Sequence, residues 1–289
     1  MSDPMVGLIL KVAAGLGVAS IAATAYAVWR ALRRPAEDVV AHGREPRKPG
    51  ERRIVCAGDS LTHATFSFDY VQALRERLGS NVRILNAGVN GDLAWNLAER
   101  LPSIVAAAPD DVVVLIGTND ICGELTTEIA KRQQRDKQLP ELASQAFFER
   151  EFTRVLEGLK AATNAQIIVV TPPLLGEDLS DRVQARLQTY AQRITEIAVK
   201  RGASVIPFHE AMESALRASG HACRPGFQPG FIEVVWIVLV PFQRYLAGMS
   251  YDRISTRRGL WGSADLIHLN ERAGTILADL LETKLRESN

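Results

Sequence analysis

Val112-Val113-Val114-Leu115-Ile116 is an unbroken apolar run. A strand with no polar alternation has to be covered on both faces, which is the situation of a central strand in a parallel sheet between helix layers. The rest of the chain repeats the same unit. Ile54-Val55-Cys56-Ala57 reads as a strand and is followed by helical spacing over 70–78, with Gly79 as its stop. Val82 to Asn86 reads as a second strand, Gln166 to Val170 as another that ends at Pro172-Pro173, and Ala203 to Ile206 as the last. Between them Phe148, Phe152, Val155, Leu156 and Leu159 form one helical face, and 187–201 is a helix stopped by Gly202. Ala273, Ile276, Leu277, Leu280 and Leu281 form the stripe of a C-terminal helix, with Asn270 as its N-cap. Strands alternating with helices predict a parallel sheet covered on both sides.

Charge and cysteine content narrow the chemistry. Lys and Arg number 34 against 33 Asp and Glu, a net charge of +1 over 289 residues, so nothing points to nucleic acid. The three cysteines, Cys56, Cys122 and Cys223, show no CxxC spacing, which argues against a zinc site or a disulfide framework. No HExxH helix and no GxxxxGK loop occurs. No cofactor or metal is expected.

The first 34 residues differ from the rest. Val12 to Trp29 is uncharged and long enough to cross a bilayer, Tyr26 and Trp29 suit an interface, and Arg30, Arg33 and Arg34 follow at once. Residues 5–32 therefore read as an uncleaved single-pass anchor. The alternative is a signal segment cleaved at Ala25-Tyr26-Ala27, but Asp3 and the lack of a basic residue before Lys11 make a poor leader. The basic flank on the C-terminal side places the main domain in the cytoplasm, with a periplasmic or secreted domain as the alternative. Residues 35–50, with Pro35, Pro46 and Pro49, read as a linker, and 51–289 as one domain. An insertion near 221–262 breaks its rhythm. Within it 231–242 is strongly apolar and too short to span a bilayer as a helix. Its β-branched content favours a buried strand; a helix or loop that caps a site or dips into a membrane surface is the alternative.

Four chemistry-bearing stretches stand at strand ends or before the last helix. They are Gly58-Asp59-Ser60, Asn86 to Asp92 with its two glycines, Gly117-Thr118-Asn119-Asp120, and Asp265-Leu266-Ile267-His268. Each has an ordinary turn or core explanation. Together they hold the parts of an acyl-transfer site: a serine, a base, a carboxylate to orient it, and donors for an oxyanion. A parallel sheet brings its strand ends to one edge, where these parts would have to meet. His63 lies on the same turn as Ser60 and reads as a surface or pocket-wall residue; His209 and His221 show no partner in the sequence. The G-x-S-x-G elbow is absent.

In these four ordered blocks the sequence resembles the SGNH hydrolases, also called GDSL lipases and esterases. The resemblance runs from Ile54 to the C-terminus, apart from the insertion. It implies a flavodoxin-like three-layer α/β/α sandwich with a central parallel sheet. It also implies that Ser60 is the nucleophile, His268 the base and Asp265 its orienting carboxylate, with the N–H groups of Ser60 and Gly91 and the Asn119 side chain as the oxyanion hole. Asp59 and Asp120 would brace their loops. The implied function is a serine esterase working through an acyl-enzyme. The apolar anchor and insertion suggest lipid-like or acyl-chain esters such as lysophospholipids or thioesters. Alternatives are a carbohydrate O-acetylesterase, an acyltransferase using the same serine, and a catalytically inert membrane-tethered binding module. The expected partners are a small ester and a membrane engaged through 5–32; the physiological ester and the oligomeric state are not legible.

Overall fold

The computed structural model describes residues 21–222, 227 and 231–287, the side chains of 231–234 excepted. Cys223 and the first sixteen residues of the expected anchor lie outside them. In chain order the elements are a helix over 21–32 (α1), α2 (Val39–His42), β1 (Arg52–Gly58), α3 (Ser60–His63), α4 (Tyr70–Leu78) and β2 (Val82–Gly88). Then come α5 (Ala94–Glu99), α6 (Leu101–Val105), β3 (Asp111–Leu115), α7 (Thr118–Gly123), α8 (Thr127–Asp136), α9 (Gln145–Ala162) and β4 (Gln166–Val170). The chain closes with α10 (Arg182–Lys200), β5 (Ser204–Ile206), α11 (Phe208–Ser219), α12 (Phe231–Tyr245), α13 (Tyr251–Arg257) and α14 (Glu271–Glu287).

The five strands form one parallel sheet in the order β2-β1-β3-β4-β5. Side chains alternate between its faces. Val55, Ala57, Val112, Val114 and Val169 pack against α5, α6, α9 and α10, through side chains such as Phe152, Leu156, Leu187 and Ile194. Ile54, Cys56, Val113, Leu115 and Ile168 face the other way onto α4, α11 and α14, through Leu74, Met212, Leu277 and Leu281. The uninterrupted apolar strands follow from this double cover. Asn270 caps α14 as expected: its Oδ1 accepts from the Ala273 N–H (3.0 Å).

Two segments differ from the sequence-based expectation. The apolar run at 231–242, expected as a buried strand, is part of helix α12. A helix closes its backbone hydrogen bonds within the segment and needs no sheet edge, and that requirement outweighs the β-branched side chains. Residues 35–50, expected as a linker, are packed onto the domain. Val39 is buried in the core, Asp38 forms a parallel bridge with Asn86, and Arg53 donates to the carbonyls of Gly43 and Glu45. Among the described residues no helix is long and apolar enough to cross a membrane.

Candidate active site

β1 ends at Gly58 and the chain enters α3 at once. A Cβ at Gly58 would lie 2.2 Å from the Leu115 carbonyl oxygen and 2.4 Å from Thr62 Oγ1. Its backbone has no positive φ, so glycine is needed there for space. Asp59 caps α3: its Oδ1 accepts from the Leu61 N–H (2.9 Å). Ser60 is thereby fixed at the first position of the short helix, nearly buried.

His268 arrives from the other end of the chain. Its Nε2 lies 3.0 Å from Ser60 Oγ, and its Nδ1 lies 2.8 Å from Asp265 Oδ2. The second carboxylate oxygen, Oδ1, accepts from the backbone N–H groups of Ile267 (3.2 Å) and His268 (2.8 Å). A spacing of three closes this loop only because Leu266 takes a left-handed conformation (φ 76). That is a costly state for a branched residue, of order 1–3 kcal/mol, and it is held by burial of the Leu266 side chain in the core and by Gly176 N–H donating to its carbonyl (2.8 Å). Phe66 stands 5.5 Å from the His268 ring, centroid to centroid. With Nδ1 protonated toward Asp265, Nε2 is the acceptor for the Ser60 proton. Burial pushes His268 down; the charge of Asp265, its hydrogen bond and the charge of Asp59 outweigh burial and hold the imidazole above its ordinary value.

The expected oxyanion donors lie on the adjoining strand ends. Gly91 has φ 76, a conformation natural only to glycine. Neither its N–H nor that of Ser60 has a partner among the described residues. Asn119 Nδ2 donates to the Asp92 carbonyl (3.0 Å) and, at 3.4 Å, toward Asp59 Oδ2. The longer contact is the weaker of the two. Asp120, on the same turn, accepts from the Ala94 N–H (3.2 Å), so it braces the loop after the glycine block. Burial pushes the Asp59 carboxyl up to about 7 and that of Asp120 up to about 8.

Three braces were not legible in the sequence. Arg100 donates to the Gly58 carbonyl (2.7 Å), the Ala87 carbonyl (2.6 Å) and Asp92 Oδ2 (2.7 Å), tying β1, β2 and the glycine block together. Lys137 reaches Asp92 Oδ1 (3.1 Å) and the Asn90 carbonyl, across Gly91. Glu177, buried, accepts from the N–H groups of Trp261 (2.5 Å), Gly262 (2.8 Å) and Ser263 (2.9 Å), which fixes the loop that leads to Asp265. All three act on backbone distant in sequence, and no local pattern marks such residues. His63 is buried, not on the surface; its Nδ1 lies 3.1 Å from Thr65 Oγ1, and burial pushes it down to about 4. His209 is buried on α11, and His221 Nε2 lies 3.1 Å from the Gly259 carbonyl. Among the described residues no group of His, Cys, Asp and Glu is arranged to hold a metal ion.

Residues 56–228 match the model of the GDSL-like lipase/acylhydrolase family. The chain belongs to this family. It is an esterase or acylhydrolase acting on ester bonds. The matched stretch holds Ser60, Gly91 and Asn119 and ends before Asp265 and His268. No curated protein matches the sequence. Among solved structures, the acetylxylan esterase Axe2 from Geobacillus stearothermophilus is similar, with a TM-score of 0.54 at 17% identity over 81% of this chain and 94% of that one. LAE5, an alpha/beta hydrolase enzyme from the metagenome of Lake Arreo, gives a TM-score of 0.50 at 19% identity, over 80% of this chain and 94% of that one. At these identities the likeness is one of fold. Forms of Axe2 altered at a serine, an aspartate and a histidine are described as catalytic mutants.

Proposed function

We propose that this GDSL-family esterase is a serine hydrolase of acyl-chain or lipid-like esters. The observation that carries the reading is the continuous chain from Ser60 Oγ through His268 to Asp265, at 3.0 and 2.8 Å. Ser60 Oγ bonds to the ester carbonyl carbon as its proton passes to His268 Nε2. The carbonyl oxygen becomes negative and is met by the N–H groups of Ser60 and Gly91 and by Asn119 Nδ2. The C–O bond to the alcohol then breaks, and His268 returns the proton to the leaving oxygen. Water, deprotonated by the same nitrogen, attacks the acyl-enzyme and releases the acid and free Ser60. Asp265 holds the imidazole in the required tautomer throughout.

Support for an apolar acyl group comes from hydrophobicity: the uncharged stretch within 5–32, which we take as a membrane anchor with the domain on its basic, cytoplasmic side, and the apolar helix α12. A second reading, an acetylesterase of carbohydrates, is favoured by the fold likeness to an acetylxylan esterase; transfer of the acyl group to an alcohol other than water would use the same serine. A series of nitrophenyl esters separates the two ester classes: activity best at acetyl and falling with chain length overturns the lipid reading. The site itself is tested with a fluorophosphonate probe. Wild type is expected to label at Ser60, and Ser60→Ala to remain folded and unlabelled. Equal labelling of the variant would remove Ser60 from the mechanism.

A further inference from the structure

Helices α1 and α12 both turn apolar stripes to solvent. On α1 the exposed residues include Ile21, Val28, Trp29 and Leu32, at spacings of seven, eight and eleven, while Ala27 and Ala31 behind them are buried. On α12 they are Val238 (55% exposed) and Leu239 (42%), while Val240 is buried with Met249, Tyr251 and Ile254. A surface helix ordinarily shows the reverse pattern, polar outside and apolar inside. The two helices meet, since the Arg30 guanidinium lies 4.7 Å from the centre of the Tyr245 ring. Both helices also touch the candidate site. Asn90, next to Gly91, donates to the Ala31 carbonyl (3.4 Å). Tyr245 Oη donates to the Thr65 carbonyl (2.6 Å), beside the Phe66 that stands against His268.

We propose that α1 and α12 form a docking face for a lipid bilayer, placed so that ester substrate reaches Ser60 from the membrane side. The choice of a bilayer rests on the chain that leads into the face: residues 12–20 are uncharged and mostly apolar and run directly into α1. It rests also on charge: Arg33 and Arg34 lie exposed just past the end of α1, where their guanidinium groups would meet lipid phosphates, while Arg30 and Arg244 are held over the rings of Tyr245 and Tyr251. The exposed apolar side chains of both helices would lie among acyl chains at the interface. This deepens the reading of the site as an acyl esterase and rests on it.

The test uses the full chain and the double variant Val238→Asp/Leu239→Asp with vesicles of phosphatidylcholine and phosphatidylglycerol. Turnover of nitrophenyl palmitate carried in the vesicles is compared with turnover of nitrophenyl acetate in solution, and vesicle binding is read by sedimentation. The expected result is at least a tenfold loss of the vesicle-to-solution activity ratio in the variant, with acetate turnover unchanged, even where residues 1–20 still hold the chain on the vesicle. An unchanged ratio overturns the docking face. Concentration-dependent dimerisation without vesicles, abolished by the variant, overturns it in favour of a second copy of the chain. If wild type turns over neither ester, the esterase reading of the site fails, and sedimentation of wild type against a variant that also lacks residues 1–20 then decides the docking face alone: binding lost only when both changes are combined supports it, and binding lost on the deletion by itself overturns it.

Discussion

The two ends of the sheet use polar groups in opposite ways. At the N-terminal ends of the strands, donors are matched to acceptors. Arg52 makes a two-pronged contact with Asp111 (2.7 and 2.9 Å) and donates to the Leu285 carbonyl (2.7 Å). Arg53 engages Glu51 and the carbonyls of Gly43, Glu45 and Ala107. At the C-terminal ends the Ser60 and Gly91 N–H groups have no partner among the described residues, two buried carboxyls are pushed up to about 7 and about 8, and Leu266 holds a strained turn. One end is satisfied and serves stability; the other leaves donors open and conformations strained, as the proposed oxyanion hole requires. Conserving both at once is possible because β1 joins them: its first residues carry the arginine braces and its last leads into Ser60.

Three substitutions probe this division. Asp265→Asn should lower kcat by about 10⁴-fold with little change in folding, because the imidazole then loses its correct tautomer. The same change removes what holds His268 above its ordinary value. The neutral imidazole is the active form, so activity is lost as pH falls through its pKa, and the acid limb of the kcat/KM profile should move to lower pH in the variant. A limb that stays in place would separate Asp265 from His268 in function. Asn119→Ala should cost about 10²–10³ in kcat, the usual loss for one oxyanion donor, with an unaltered thermal midpoint; near-normal turnover would take Asn119 out of the hole. At the opposite end, Arg52→Ala leaves the buried Asp111 carboxylate without its main partner and should reduce unfolding free energy by about 3 kcal/mol. Activity per folded molecule should be retained. A loss of kcat in a still-folded Arg52→Ala protein would break the comparison, since it would mean the two ends are coupled.

Much of this was legible in the sequence, for a physical reason. Strands covered on both faces must be continuously apolar, so Val112 to Ile116 and Ile54 to Ala57 announce themselves. Three of the four polar blocks stand where strands end, and a parallel sheet has one such edge; the fourth, Asp265 to His268, leads into α14. What escaped the sequence is what depends on distant backbone. Arg100 and Lys137 look like ordinary surface charges until the carbonyls of Gly58, Ala87 and Asn90 are placed near them. Glu177 looks like an ordinary acidic loop residue until the Trp261–Ser263 loop folds over it. Leu266 gives no sign of its left-handed backbone, because that state is imposed by its buried side chain. The run at 231–242 misled because its side-chain composition suits a strand, while the choice was made by where its backbone could find hydrogen bonds.

Ser60 and His268 are 208 positions apart in the chain. During synthesis the serine leaves the ribosome 208 residues before the histidine, at the end of a strand whose sheet neighbours β2 and β3 also precede that histidine. On the proposed mechanism, a chain grown only that far carries a serine hydroxyl without its base. On that mechanism Ser60 gains its base only once the segment leading into α14, which packs against α4 and α11, is in place, so that the appearance of esterase activity would double as a report that the domain has closed.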